Sequence, residues 1–217
     1  MTLMAESSHP SVSTLGSSWI TIGWLWDQAA RSKIDLLRNG RPAQKLGVAR
    51  AAANNCAGPR LATKCAELLS GLVADSADGV QEAVSEFLRE DDALRCFELR
   101  KVTVDFVASP AFLRQPSWLV RALRSYPESL TPLAPIVETV CRQLTVATSP
   151  VAQDASSSTS FDLQEFVPIL LRLYEQAEQA GDRGLRTTCL NWWDNLIESK
   201  GDGALQLLAR LDQGQSV

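Results

Sequence analysis

The chain has 217 residues, of which 45% are apolar and 21% are charged. This composition is that of an ordinary globular protein, and it excludes a disordered or fibrous chain. A formal net charge of -4 is too small to indicate a dedicated nucleic-acid or membrane surface. No segment reaches the ~18 apolar residues that a membrane span requires, so no membrane association is expected.

The first 18 residues contain six serines, two threonines and one proline, and they are predicted to be a poorly ordered lead-in. They lack the basic residues of a secretory signal peptide. Trp19, Trp24 and Trp26 follow directly. These tryptophans could form a binding platform, but large aromatic side chains more often fill a core, and core packing is the favoured interpretation.

Residues 19–148 are predicted to form a block of helices. Apolar residues recur at the spacing of one helical stripe, for example at Leu61, Cys65, Leu68 and Leu72. The segment Leu94–Val107 alternates like a strand in part, but its neighbours are helical and it is predicted to be helix. Between Val80 and Ala180 there is no glycine, which removes the commonest residue of tight hairpin turns.

The serine-rich segment 149–160 is predicted to be an internal linker, and residues 161–217 a second helical block. Gly181 with Asp182, and Gly201 with Asp202, each combine a residue that can end a helix with one that can cap the next. The two corners lie twenty residues apart, so a helix pair spans about forty residues, the size of a HEAT-type unit. The predicted fold is therefore all-α, with stacked antiparallel helix pairs in an α-solenoid-like arrangement.

This pattern of short helix pairs resembles HEAT-like α-solenoids. The segment VPILLRLYEQAEQAGDRGLRTTCLNWWDNLIE is similar to the helical C-terminal regions of large bacterial NTPases, including defence ATPases. The chain contains no phosphate-binding GxxxxGK[ST] loop. The resemblance thus implies a sensor or scaffold part without the motor, with an NTPase or nuclease as its partner.

No catalytic, cofactor-binding or metal-binding residues are predicted. The only histidine is His9, in the lead-in, which leaves a serine or cysteine nucleophile without a positioned base. The five cysteines are odd in number and never spaced as CxxC, so they indicate neither a disulfide framework nor a zinc site. A reducing cytoplasm is the expected location.

Residues 31–64 carry eight basic side chains and one acidic side chain, whereas residues 67–105 carry ten acidic and four basic ones. The basic segment could contact nucleic-acid phosphates, but internal pairing with the acidic segment is favoured. The candidate contact residues are Arg31, Lys33, Arg38, Arg41, Lys45 and Arg50.

Trp192 and Trp193 widen the apolar arc of their helix to roughly 160°. Such a helix is normally buried between two neighbours, expected here to be the helices of residues 166–177 and 205–211. Alternatively, Trp193 is left exposed as an anchor for a partner. The overall prediction is a non-catalytic protein–protein interaction or scaffold domain. The alternative is a nucleic-acid-contacting accessory domain, and an enzyme ranks third.

Overall fold

The computed structural model describes residues 1–77, 79–90, 93–109, 111–112, 117–146 and 163–200. Within these ranges the regular structure is entirely helical, so the all-α prediction is confirmed. The α-helices are α1 (Thr2–Ala5), α2 (Pro10–Leu25), α3 (Arg31–Arg38), α4 (Pro42–Ala53), α5 (Pro59–Ser70), α6 (Val80–Ser85), α7 (Phe97–Val107), α8 (Ser117–Ser125), α9 (Ala134–Val146), α10 (Leu163–Gln179) and α11 (Arg183–Lys200). The segment that alternated like a strand is the helix α7.

Internal contacts divide the chain into two compact units, Met1–Phe112 and Leu113–Val217. The boundary between the two units, after residue 112, lies within the predicted helical block 19–148 and not at the predicted linker. The predicted linker 149–160, the corner at Gly201 and the helix 205–211 lie outside the described residues.

The first unit is organised around α4. This helix contacts α2, α3, α5 and α6, and most of its residues from Gly47 to Ala53 are buried. Small side chains allow neighbouring helices to approach α4 from several sides. Three helices of this unit begin with proline at the first position, where the missing backbone N–H costs least.

The lead-in prediction for residues 1–18 is corrected, because this segment forms α1 and the first half of α2. Its serines do not mark a loop. Ser13 and Ser17 are buried, and the Ser13 hydroxyl donates a hydrogen bond to the carbonyl oxygen of Ala5 at 2.7 Å. The Ser13 hydroxyl thus bonds within the helical packing instead of competing with it.

In the second unit α10 contacts α8 and α11, and α11 also contacts α9. The predicted corner between α10 and α11 is confirmed. Gly181 adopts the left-handed conformation with φ of 70°, and the Asp182 carboxylate accepts a hydrogen bond from the Leu185 N–H at 2.9 Å. Pro168 lies inside α10.

Candidate interaction surface

The outer face of α2 carries a continuous stripe of large apolar side chains. Its members recur at intervals of three and four residues and span an arc of about 80° on the helix. The stripe consists of four exposed residues and the half-buried Ile22, the exposed ones being Val12, Leu15, Trp19 and Trp26. Trp19 is 50% exposed and Trp26 58% exposed, and such exposure is unusual for tryptophan.

The buried face of α2 changes character along the helix. Its first half is small and polar, with Ser13, Gly16 and Ser17, and its second half is mainly large and apolar, with Ile20, Trp24 and Leu25. In the first half the usual pattern of a surface helix, with large apolar residues inside and polar residues outside, is therefore reversed. Leu15 and Trp19 remain exposed because the fold uses the other side of the helix.

Close packing against α4 explains why the first half of the buried face is small. A Cβ atom at Gly47 of α4 would lie 2.7 Å from the Ser17 Cβ atom and would also collide with the carbonyl oxygen of Thr14. Two hydroxyls of α2 donate to carbonyls of α4: Thr14 to Ala43 at 3.0 Å and Ser18 to Gly47 at 2.9 Å. These bonds fix α2 to the unit with its stripe facing outward.

The end of α2 is defined by a Schellman motif. The Asp27 N–H donates to the Trp24 carbonyl at 2.9 Å, and the Gln28 N–H donates to the Gly23 carbonyl at 2.6 Å. Asp27 adopts a positive φ of 61°, and its carboxylate binds the Lys64 ammonium at 2.6 Å. Trp26 is therefore held at the end of the stripe by a structured turn.

The favoured interpretation of the three N-terminal tryptophans as core is wrong for two of them. Trp24 is 8% exposed and lies beneath the Lys64 ammonium, 5.3 Å from its ring centroid, whereas Trp19 and Trp26 are on the surface. The signal that could have identified the stripe is the spacing from Val12 onward. The predicted lead-in of residues 1–18 separates Val12 and Leu15 from Trp19, so the pattern is divided at residue 18.

Trp193 is 6% exposed, and Trp192 beside it is also buried. The burial expected for this pair is confirmed, and the alternative of Trp193 as an exposed anchor is contradicted. Their helix α11 packs on α10, as expected, and on α9. The broad apolar arc is thus covered on its second side by a helix that precedes α10 in the chain.

Most of the predicted basic contact residues have partners within the fold. Arg31 pairs with Glu67, Arg38 with Asp35 at 3.7 Å, and Lys45 with Asp75 at 2.7 Å. Arg41 donates to the carbonyl of Ser7 at 2.9 Å. The structure does not gather these cations around a common site, because each has a different partner.

The other two predicted contact residues, Lys33 on α3 and Arg50 on α4, are exposed. Among the described residues, internal pairing with the acidic segment is confirmed for Arg31, which pairs with Glu67, and for Lys45, which pairs with Asp75. The basic segment therefore serves largely to join the helices of the first unit.

A second candidate site is an open cleft of about 440 Å³ lined by Cys56, Thr63, Cys96 and Glu98. The Cys96 thiol donates to the Glu98 carboxylate at 2.9 Å. Burial, together with that carboxylate, raises the pKa of Cys96, and burial raises the pKa of Cys56 to about 12. Both thiols are protonated near neutral pH, which makes them poor nucleophiles.

Within the described part of the chain, no group of three or more His, Cys, Asp or Glu side chains is arranged to hold a metal ion. Over the same residues, none of the helices has the length and apolar character needed to cross a bilayer. Comparison with protein-family models, curated proteins and solved structures gives no match.

Proposed function

We propose that this chain is a non-catalytic interaction module that binds another protein through the α2 stripe. The observation that carries the proposal is the exposure of Trp19, Trp26 and Leu15 on one face of a helix whose other face is fixed to the fold. Tryptophan is the residue most enriched among binding hot spots. The exposed side-chain area of the stripe is on the order of 400 Å², comparable with the largest apolar patches of monomeric proteins.

A helical-repeat scaffold is part of this proposal. The helices contact neighbours two positions apart in the chain, as in the series α2, α4 and α6 and in the pairs α5 with α7, α8 with α10 and α9 with α11. Such near-neighbour contacts are what stacked HEAT-like helix pairs make. The five cysteines carry free thiols, in keeping with a reducing cytoplasm. The sequence resemblance makes a bacterial NTPase or nuclease the first partner to test.

The charge distribution favours a protein over nucleic acid as the partner. Residues 10–26 contain no charged side chain, so binding through the stripe depends little on salt. A nucleic-acid contact through residues 31–64 would lose affinity steeply with salt. It would also have to compete with the internal partners of Arg31, Arg38, Arg41 and Lys45.

The test places a photoreactive phenylalanine analogue at position 19 in cells that express the chain. The matched control carries it at Phe97, which is 76% exposed and lies outside the stripe on α7. We expect a discrete protein adduct from position 19 only, formed equally at low and high salt with purified components. Adducts of equal yield from both positions would contradict the proposal.

A further inference from the structure

We propose that the partner on the α2 stripe is a second copy of this chain, with the two α2 helices packed antiparallel about a two-fold axis at Trp19. This inference rests on the proposed function, because it names the occupant of the same surface. It is argued from the order of the stripe residues, their charge and their area.

The order of side chains along the stripe allows two copies of it to pack against each other in opposite directions. Its members are spaced by three, four, three and four residues, with Trp19 at the centre. In an antiparallel pair centred on Trp19, Val12 faces Trp26 of the other copy, and Leu15 lies within one residue, about 1.5 Å along the helix, of Ile22. A small side chain thus meets the largest one, and two of middle size meet each other, while the two Trp19 rings can stack with an offset at the axis. A two-fold interface requires this self-complementarity.

Charge does not oppose the pairing. No ionisable side chain lies between His9 and Asp27, so the contact buries no unpaired charge. Asp27, at the end of the stripe, is already paired with Lys64. Antiparallel alignment also sets the positive end of each helix dipole beside the negative end of the other.

The exposed area is sufficient for a dimer when α1 is included. A Cβ atom at Gly16 of α2 would lie 2.7 Å from the Met4 Cβ atom, so α1 packs on α2 one helical turn from Val12. Leu3 of α1 is 85% exposed, and Met1 and Met4 are also exposed. Together with the stripe they present roughly 700 Å² per copy, close to the ~800 Å² per partner of a standard interface.

A lipid surface is less suited to this helix. Helices that lie in a bilayer interface carry Lys and Arg on their polar face. α2 has no basic residue, and its polar face is buried against α4.

The experiment introduces one additional cysteine at a time into the full chain by substitution. In the proposed dimer the two residues at position 19 face each other, so Trp19→Cys should form a disulfide-linked dimer in high yield under mild oxidation. The matched control is Leu36→Cys on α3, another exposed apolar position, which should remain largely monomeric, as should the unmodified chain. Mixing Val12→Cys with Trp26→Cys should give a cross-linked heterodimer, whereas neither variant alone should.

Sedimentation equilibrium measures the association without cross-links. We expect a concentration-dependent dimer whose dissociation constant rises at least tenfold in Trp19→Ser and is unchanged in Leu36→Ser, with equal helix content by circular dichroism. A chain that is monomeric throughout, with no cross-link at position 19, overturns the dimer.

The photocrosslinking test then separates the two proposals. An adduct of twice the chain mass supports the dimer. An adduct of another mass from position 19 leaves the proposed function standing and overturns the dimer, and the absence of any adduct overturns both. Binding of the monomer to phosphatidylglycerol vesicles that depends on Trp19 also overturns both.

Discussion

Replacing Gly47 with alanine should force α2 away from α4. The added Cβ atom would collide with the Thr14 carbonyl oxygen and approach the Ser17 Cβ atom at 2.7 Å. Both obstacles belong to the α2 backbone or lie next to it, so neither can rotate away. Relief requires a shift of the whole helix, which would weaken the hydrogen bond from Ser18 to Gly47.

The expected change in the free energy of unfolding is the balance of opposing effects. Alanine improves helix propensity by about 1 kcal/mol over glycine. Overpacking costs about 1 to 3 kcal/mol, and each weakened interhelical hydrogen bond adds about 1 kcal/mol. The net expectation is a loss of about 2 kcal/mol in the free energy of unfolding, which lowers Tm by roughly 8 °C in a unit of this size.

The control is Gly23→Ala in α2, where the new Cβ atom would meet only the Ala29 Cβ atom at 3.6 Å, an ordinary contact. That variant should gain up to about 1 kcal/mol. Urea unfolding followed by circular dichroism gives both values. If Gly47→Ala stabilises the chain as much as Gly23→Ala does, the close approach of α2 and α4 is refuted.

Three further predictions concern single side chains. The Ser17 hydroxyl is buried with no hydrogen-bond partner, so Ser17→Ala should raise stability by up to about 1 kcal/mol, whereas Ser13→Ala should lower it by a similar amount, both by urea unfolding. Trp193→Ala should cost about 3 to 5 kcal/mol; an unchanged Tm would contradict its burial. Burial of Asp75 acts to raise its pKa, but the hydrogen bonds from Lys45 and the Ala77 N–H outweigh this and lower it. The stability that Asp75 contributes is therefore present above pH ~4 and lost below, so Asp75→Asn should destabilise at pH 7 by about 1 to 2 kcal/mol and much less near pH 3.

Features set by a few neighbouring residues were predictable from the sequence. The corner at Gly181 and Asp182 depends only on a left-handed residue and a capping carboxylate, and both occur as expected. The helix of Trp192 and Trp193 was expected to be buried because its apolar arc is broad. In each case the residues close together in the sequence were sufficient to predict the structure.

The candidate surface was not predictable in the same way, because it depends on which face of α2 the rest of the chain covers. Trp19 and Trp24 are five residues apart in one helix, yet Trp19 is exposed and Trp24 is buried. Ser13, Gly16 and Ser17 have the residue types of a loop, and only the approach of α1 to the first two and of Gly47 on α4 to the third makes them a packing face. Likewise, the pairing of Lys45 with Asp75 depends on a contact between residues thirty positions apart.

The reversed polarity in the first half of α2 separates two kinds of selection on one helix. Ser17 packs so closely on Gly47 of α4 that a Cβ atom there would lie 2.7 Å from its own, so the inner positions that face Gly47 are restricted to small residues. Substitutions at Leu15 or Trp19 change the outer surface while leaving the contact with α4 intact. The sequence of the stripe can therefore diverge between related chains, and partner preference with it, without loss of the fold that presents it.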